Sequence, residues 1–231
     1  VLPYSVKEDI SLFYKVNMMG TLNLLSWMES TNLKKMIYIS GTGVNSNSEE
    51  KIIDPKLNDY HMSKGMGEMI CKLYNNKDTI SVVTLRISAP YGYSGNNKAV
   101  IPKFISNVKS GRDIELWGQG SRSQTFTFVD DIGLACELVY QNKDLKEAYN
   151  ISGNQIISMS NLASEIIRVF NTTKSKIVFL DKKDPLESQK NEIICTSAKE
   201  DFNFEPQFDM KTALSVIANH KLAPLATIEN L

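Results

Sequence analysis

Two apolar runs, Met36-Ile37-Tyr38-Ile39-Ser40 and Ile80-Ser81-Val82-Val83-Thr84-Leu85-Arg86, stand on either side of a stretch read as one long helix, residues 60–77. Both runs are rich in β-branched residues and too short for helices, so each is expected to be a strand. Turn residues close them: Gly41-Thr42-Gly43 after the first, Ser88-Ala89-Pro90-Tyr91-Gly92 after the second. Neither run alternates apolar with polar, which implies burial on both faces. Strand, long helix and buried strand make a parallel βαβ unit.

Upstream, residues 9–29 carry a helical stripe of Ile10, Phe13, Val16, Leu22, Leu25 and Met28. Gly20 inside that helix suggests close packing against a neighbour, since a mid-helix Gly costs about 1 kcal/mol relative to Ala. Asn17 is open to two readings, a solvated polar residue or a functional one. Residues 41–59 form a long polar loop, and residues 1–5, with Pro3, form another. After Gly92 the texture changes. A helix is expected over 99–109, then Glu115-Leu116-Trp117 running into a Gly118-Gln119-Gly120 turn, a strand over 125–129, and a helix from Asp130-Asp131 to about 140. A strand at 148–151, a helix capped by Ser158 or Ser160 and reaching Phe170, a strand over 176–180, and helices near 196 and over 210–219 complete the chain.

Charge narrows the partners. The 231 residues carry 26 basic and 26 acidic side chains, which argues against a nucleic-acid footprint or a polybasic membrane patch. Cys71, Cys136 and Cys195 are odd in number and far apart, as befits free thiols in a reducing compartment, here the cytoplasm. With His61 and His220 the only histidines, no His-rich metal site is expected. No apolar run reaches the length of a membrane span, and no secretory signal pattern is visible at the start.

The candidate chemistry lies in Tyr60-His61-Met62-Ser63-Lys64. Positions i and i+4 share a helix face, which sets a phenol beside an ammonium. The cation should favour the tyrosinate and lower the Tyr60 pKa, leaving a group able to give or take a proton at a carbinol or carbonyl. By itself the spacing says little: with 9 Tyr and 22 Lys in the chain, one such pair arises by chance.

Order along the chain adds weight. Asn17-Met18-Met19-Gly20-Thr21, then Tyr38-Ile39-Ser40, Tyr60-x-x-x-Lys64, and Leu85-Arg86 through Pro90-Tyr91-Gly92 follow in turn. Next come Ile101-Pro102, Gly118-x-Gly120, Phe126, Phe128-Val129-Asp130-Asp131 and Tyr149-Asn150-Ile151, with Ser197-x-Lys199 and Phe204-x-Pro206 late in the chain. Together they resemble the extended short-chain dehydrogenase/reductases, the NAD-dependent nucleotide-sugar epimerase/dehydratase family. The resemblance covers nearly the whole chain. It implies an α/β fold, the later half of a Rossmann-like parallel sheet plus a smaller mixed α/β substrate-binding region. It divides the chain at residue 92, with 125–152 crossing back to the Rossmann part. It implies NAD or NADP as cofactor, a nucleotide-sugar substrate and a homodimer formed through the helices around 9–29 and 60–77. Catalysis would fall to Tyr60 and Lys64, with Thr42 as a substitute hydroxyl. Asn17, Ser40, Tyr60, Lys64 and Pro90 would meet the cofactor, and Ala89, Ile101, Arg122 and Gln124 the substrate.

Several family features are absent. None of Gly41-x-Gly43, Gly65-x-Gly67 and Gly118-x-Gly120 has the third glycine of a dinucleotide turn. Two or three βα units, on the order of 80 residues, would precede this chain in a full-length member, so a truncated member is expected. The family's catalytic Ser or Thr falls on Gly41, its Asn on Ala89, and its diphosphate-binding Arg on Gln124, with Arg122 two places earlier. Two other functions therefore stand beside the enzyme: an inactive member serving binding or assembly, and an NAD(P)-dependent reductase of the same superfamily.

Overall fold

The structure is a computed structural model that describes residues 10–45, 55–77, 80–93, 99–170 and 174–220. The loop expected at 1–5, and 46–54 of the expected polar loop, lie outside these residues.

The first helix, α1, has three parts: α-helical Ser11–Phe13, π-helical Tyr14–Met19 and α-helical Gly20–Glu29. Its buried residues are Phe13, Leu25 and Met28 of the expected stripe together with Asn17 and Thr21, while Ile10 and Val16 of that stripe are exposed. The reason is geometric. A four-residue spacing drifts about 40° per step in an α-helix, or about 120° from Phe13 to Leu25. The one extra residue of a π turn takes up most of that drift, so the polar pair Asn17 and Thr21 joins the apolar face. Gly20 closes the π turn by donating its N–H to the Lys15 carbonyl. A Cβ there would meet only that carbonyl, at 3.7 Å, so the expected close packing at Gly20 is not what the glycine serves.

Strand β1 is Lys35–Gly41, followed by a 3-10 turn, Thr42–Asn45. Helix α2 is Pro55–Asn76, so it starts five residues before Tyr60. Pro is well suited to a first helical position, where its missing N–H has no partner to lose. Then come β2 Ser81–Ile87, β3 Pro90–Tyr91, α3 Val100–Lys109, β4 Ile114–Trp117, β5 Ser123–Thr125 and β6 Thr127–Phe128. These are followed by α4 Val129–Gln141, β7 Ala148–Ile151, β8 Ile156–Ser158 and α5 Met159–Val169, with Ser158 as N-cap. The chain closes with β9 Ile177–Leu180, β10 Lys190–Asn191, α6 Thr196–Phe202 and α7 Met210–Asn219.

The chain forms two compact units. The first comprises Val1–Ala89, Asp131–Ser152 and Ile193–Glu205. Its sheet has the order β1-β2-β7, all parallel, with Ser40, Arg86 and Asn150 in register. Alternate residues serve opposite faces. Tyr38 and Val82 pack with Leu25, Met28, Cys71 and Tyr74 from α1 and α2. Val83, Leu85, Ile87, Tyr149 and Ile151 pack with Ala135, Val139, Phe202 and Phe204. At the start of β1 the Lys35 ammonium donates to the carbonyls of Val139, Tyr140 and Asn142 at 2.6, 3.1 and 2.6 Å. One cation thus satisfies carbonyls that the C-terminus of α4 leaves without helical partners.

The second unit comprises Pro90–Asp130, Gly153–Glu192 and Pro206–Leu231. The strand expected over 125–129 is two strands in different sheets: β5 pairs with β8 and β10, β6 with β3. The break falls at Phe126, whose carbonyl rests against Gly153 where any Cβ would collide. Helices α3 and α5 bury Ile101, Phe104, Leu162 and Ile166, and α7 adds Leu214 and Ile217. Among the described residues no helix is long and apolar enough to cross a membrane.

Candidate active site

Tyr60 and Lys64 sit one turn apart near the middle of α2. The Tyr60 ring meets Phe13 edge-on at 5.9 Å and His61 at 5.5 Å. Burial pushes its phenol above the ordinary tyrosine value. This reverses the expected lowering. Loss of water around the tyrosinate outweighs the neighbouring cation, and the Lys64 ammonium is aimed elsewhere, donating to the Ile39 carbonyl at 2.9 Å. Lys64 also lies 5.1 Å from the centroid of the Tyr38 ring. Burial lowers the Lys64 pKa, against smaller opposing effects of Cys71 and Glu68. At neutral pH Tyr60 is therefore a neutral phenol, the form that donates a proton.

Asn17 is buried, which removes the solvated reading. Its side-chain amide donates to the Ser63 hydroxyl at 3.0 Å, and Ser63 donates to the Tyr60 carbonyl at 2.8 Å. The Asn17 main-chain carbonyl accepts from the Thr21 hydroxyl at 2.7 Å and from the Tyr38 phenol at 3.5 Å. The same phenol donates to the Lys64 carbonyl at 3.3 Å, and burial drives its pKa well above the usual tyrosine range. Tyr38 fits because residue 67 is glycine. A Cβ at Gly67 would overlap the Tyr38 hydroxyl and stand 2.7 Å from its ring carbon and 2.9 Å from the Asn17 carbonyl oxygen. Further along α2, Glu68 holds Arg86 of β2 in a bidentate pair, with Nη2 2.5 Å from Oε2 and Nε 3.1 Å from Oε1. Bidentate geometry between half-buried partners fixes the helix on the strand more firmly than an exposed ion pair.

At the C-terminal end of β1, Ser40 is buried and its hydroxyl has no hydrogen-bond partner among the described residues. Gly41, where a hydroxyl was expected, is open: a Cβ there would meet nothing within 4 Å. Thr42 begins the 3-10 turn, so the strict alternation of the strand stops before it. Ala89, just past β2, has φ +32°, a conformation in which Asn is favoured over other residues that carry a Cβ.

Asn17, Ser40, Thr42, Tyr60, Lys64 and Ala89 thus belong to the first unit; Pro90, Ile101, Arg122 and Gln124 belong to the second. Pro90 is exposed in β3, opposite Thr127. Ile101 is a core residue, 2% exposed. Gln124 stands in β5 opposite Ile157 and Asn191. The Arg122 guanidinium lies 3.9 Å from Asp184. Beside it the Glu187 carboxylate accepts from the backbone N–H groups of Gln119 and Ser121 at 3.0 Å each, and from the Ser121 hydroxyl. Those bonds, the Ser121 hydroxyl's first, hold its carboxyl below the usual range. The donors converge because Gly118 and Gly120 both have positive φ, the geometry of an anion-binding nest. A cavity of about 290 Å³ opens in the first unit between Arg86, Asn150 and residues 194–198; no candidate site residue lines it. Among the described residues no group of three or more His, Cys, Asp or Glu could hold a metal.

Sequence reasoning missed Ser63, Tyr38 and Glu187. Ser63 carried one usable signal, its place three residues after Tyr60 and next to Lys64, within reach of the Tyr60 carbonyl on a helix. Glu187 carried none.

Comparison with known proteins follows the same lines. A dTDP-D-glucose 4,6-dehydratase from Homo sapiens is 32% identical over 169 residues, covering 71% of this chain and 48% of the relative. One from Dictyostelium discoideum is 28% identical over 181 residues, covering 71% and 42%. The chain therefore spans about half the length of these curated relatives. The crystal structure of a UDP-glucuronic acid 4-epimerase from Bacillus cereus, in complex with UDP-glucuronic acid and NAD, superposes with a TM-score of 0.77 at 22% identity, over 94% of this chain and 71% of that one. The likeness is of fold: α/β, with a parallel, Rossmann-like sheet. The sequence pattern of the NAD dependent epimerase/dehydratase family matches residues 5–152, well over half of the chain, and the chain belongs to that family.

Proposed function

We propose that this chain is part of an NAD(P)-dependent epimerase or dehydratase acting on a nucleotide-sugar, with Tyr60 and Lys64 as its proton-handling pair. The supporting observation is the partly buried Tyr60 phenol one turn from an ammonium that reaches the C-terminal end of β1. Ligands of parallel α/β sheets bind at such strand ends. The residues fit one end of the dinucleotide. The Lys64 ammonium and the unpartnered Ser40 hydroxyl suit the nicotinamide ribose, whereas the chain has no three-glycine turn for the pyrophosphate. The cofactor, when bound, supplies the hydride acceptor. The neutral Tyr60 phenol donates its proton to the sugar oxygen when a carbonyl is reduced, and the resulting phenolate takes a hydroxyl proton back when a carbinol is oxidised; the Lys64 charge one turn away favours that phenolate. In the active protein Tyr60→Phe should lower turnover at least about a hundredfold with little change in stability. Unchanged turnover would remove the assignment.

A second reading, an inactive member kept for binding or assembly, draws on Gly41 and Ala89, where the family's polar groups are missing. Absence of turnover in the complete wild-type protein would favour it. For either reading the partner is a second copy of the chain. Trp27 and Leu24 on α1, and Met69 and Leu73 on α2, are exposed apolar side chains, Met69 at 68%. Apolar side chains so exposed mark an interaction surface when they form a patch. Sedimentation should give a dimer at micromolar concentration and a monomer for Trp27→Glu with Leu73→Glu; a monomeric wild type would overturn this.

A further inference from the structure

We propose that His61 is a positioning residue: its neutral imidazole seats the turn Thr42–Asn45 on α2, and its protonation releases that turn together with the end of β1 that Lys64 reaches. The consequence for activity rests on the role given above to the Tyr60–Lys64 pair.

One strip of α2 docks on the end of β1 and the turn after it. Residues 61, 64 and 65 lie within about one turn and share a helix face. Lys64 donates to the Ile39 carbonyl at 2.9 Å. A Cβ at Gly65 would stand 3.3 Å from Val44 Cγ1, so the helix lies close against the turn there. At Gly43 the fit is closer still. A Cβ would overlap Cε1 and Nε2 of the His61 ring and stand 2.6 Å from Nδ1. The imidazole thus fills the space that a side chain at residue 43 would need. Those three atoms are the polar edge of the ring, so both nitrogens are turned toward the glycine.

This seat suits one charge state. A neutral imidazole has one N–H to satisfy; an imidazolium has two, and a charge. Among the described residues no free carboxylate stands ready to pair with it. On α2 the Tyr60 ring faces the imidazole at 5.5 Å as a neutral phenol, Lys64 carries a like charge, and Asp59 already accepts from the Tyr14 hydroxyl of α1 at 2.8 Å. The turn Thr42–Asn45 has no titratable group. Burial accordingly lowers the His61 pKa below the ordinary histidine value of 6.5. With the folded value below the unfolded one, the seat is fully held above pH 6.5 and is lost as pH falls from there through the folded value. The ring is half-buried, so the charged form has a short way to water. Thr42 begins the turn, and the Ser40 hydroxyl, given above to the nicotinamide ribose, precedes it by two residues. Release of the turn therefore moves the groups on β1 relative to Tyr60, and a misplacement of about 1 Å at a reacting group can cost about a hundredfold in rate.

The test follows the imidazoles by NMR from about pH 5 to 8 in the 231-residue chain. His61 and His220 are its only histidines, and His61→Gln assigns the two signals. Hydrogen exchange, corrected for its intrinsic pH dependence, reads the Val44 and Asn45 amides of the turn. In the wild type His61 should titrate below pH 6.5, and protection of both amides should fall at least about tenfold through the same midpoint. His61→Gln cannot take the proton and should hold that protection level across the range. Gly43→Ala should evict the ring, bring its titration up to about the ordinary value and leave the turn amides poorly protected throughout. Protection that stays level through the wild-type titration would overturn the proposal, and so would an equal fall in His61→Gln. In the complete active protein kcat/KM should drop at least about tenfold on the acid side of that midpoint, and His61→Gln should remove the drop. A drop of the same size in His61→Gln would overturn the consequence for activity. The exchange measurement needs no turnover, so its result is separate from that of the Tyr60→Phe activity test.

Discussion

Gly67→Ala sets two opposed effects against each other at one site. Residue 67 lies inside α2, where replacing Gly by Ala favours the helix by about 1 kcal/mol. Against this, the new methyl would overlap the Tyr38 hydroxyl and press on its ring carbon at 2.7 Å and on the Asn17 carbonyl oxygen at 2.9 Å. Neither neighbour is the free end of a flexible chain. Tyr38 is packed against Leu25, Met28 and Cys71, and the carbonyl belongs to a helix backbone. Overpacking of this kind costs about 1–3 kcal/mol, so the net loss should be about 0–2 kcal/mol. Gly133, inside α4, isolates the first effect because a Cβ there meets nothing within 4 Å. Gly133→Ala should therefore stabilise by about 1 kcal/mol, a difference of about 1–3 kcal/mol between identical substitutions in two helices. Urea unfolding followed by circular dichroism measures both. Tyr38→Phe in the Gly67→Ala background should restore part of the loss, since it removes the first atom the methyl meets. Equal stability of the two alanine variants would refute the account of how Tyr38 is seated.

Two further outcomes follow from the same geometry. Gly41→Ser meets open space and should change stability by less than about 0.5 kcal/mol. In the active protein it should raise turnover at least about tenfold by supplying the absent hydroxyl, and an unchanged kcat would reject that role for the position. Lys35→Met keeps the aliphatic stem but removes the donor from three carbonyls at the end of α4, and should cost about 1–2 kcal/mol in urea unfolding. A loss below about 0.3 kcal/mol would mean that water replaces the ammonium.

The βαβ unit was legible because its signals are local: two short β-branched runs, a long connection and turn residues at each end. Helix α1 was legible as a helix but not in its true face. Scanning for apolar residues at α-helical spacing passes over Asn17 and Thr21, and no local rule announces a π turn. The strand expected over 125–129 read as one because hydropathy carries no record of a carbonyl that must dock on Gly153, 27 residues later. Tyr60 and Lys64 were identifiable only through the order of the landmarks around them. Their electrostatics were not, because burial, which a sequence does not display, dominates the Tyr60 phenol. Glu187 reaches its nest across 66 residues, and Ile193–Glu205 returns to the first unit only after the chain has left it at Ser152.

The discontinuity of that unit bears on its synthesis. β1, α2 and β2 leave the ribosome well before all of their cover does, since Val83, Leu85 and Ile87 are covered by Ala135, Val139, Phe202 and Phe204. More than a hundred residues separate Ile87 from Phe204. At about 5–20 residues per second the nascent sheet face stays bare for roughly 5–25 s. Ribosome-arrested chains ending before residue 193 should accordingly remain protease-sensitive within β2. During that interval the strand pair exposes an apolar face that a neighbouring nascent chain on the same message can meet.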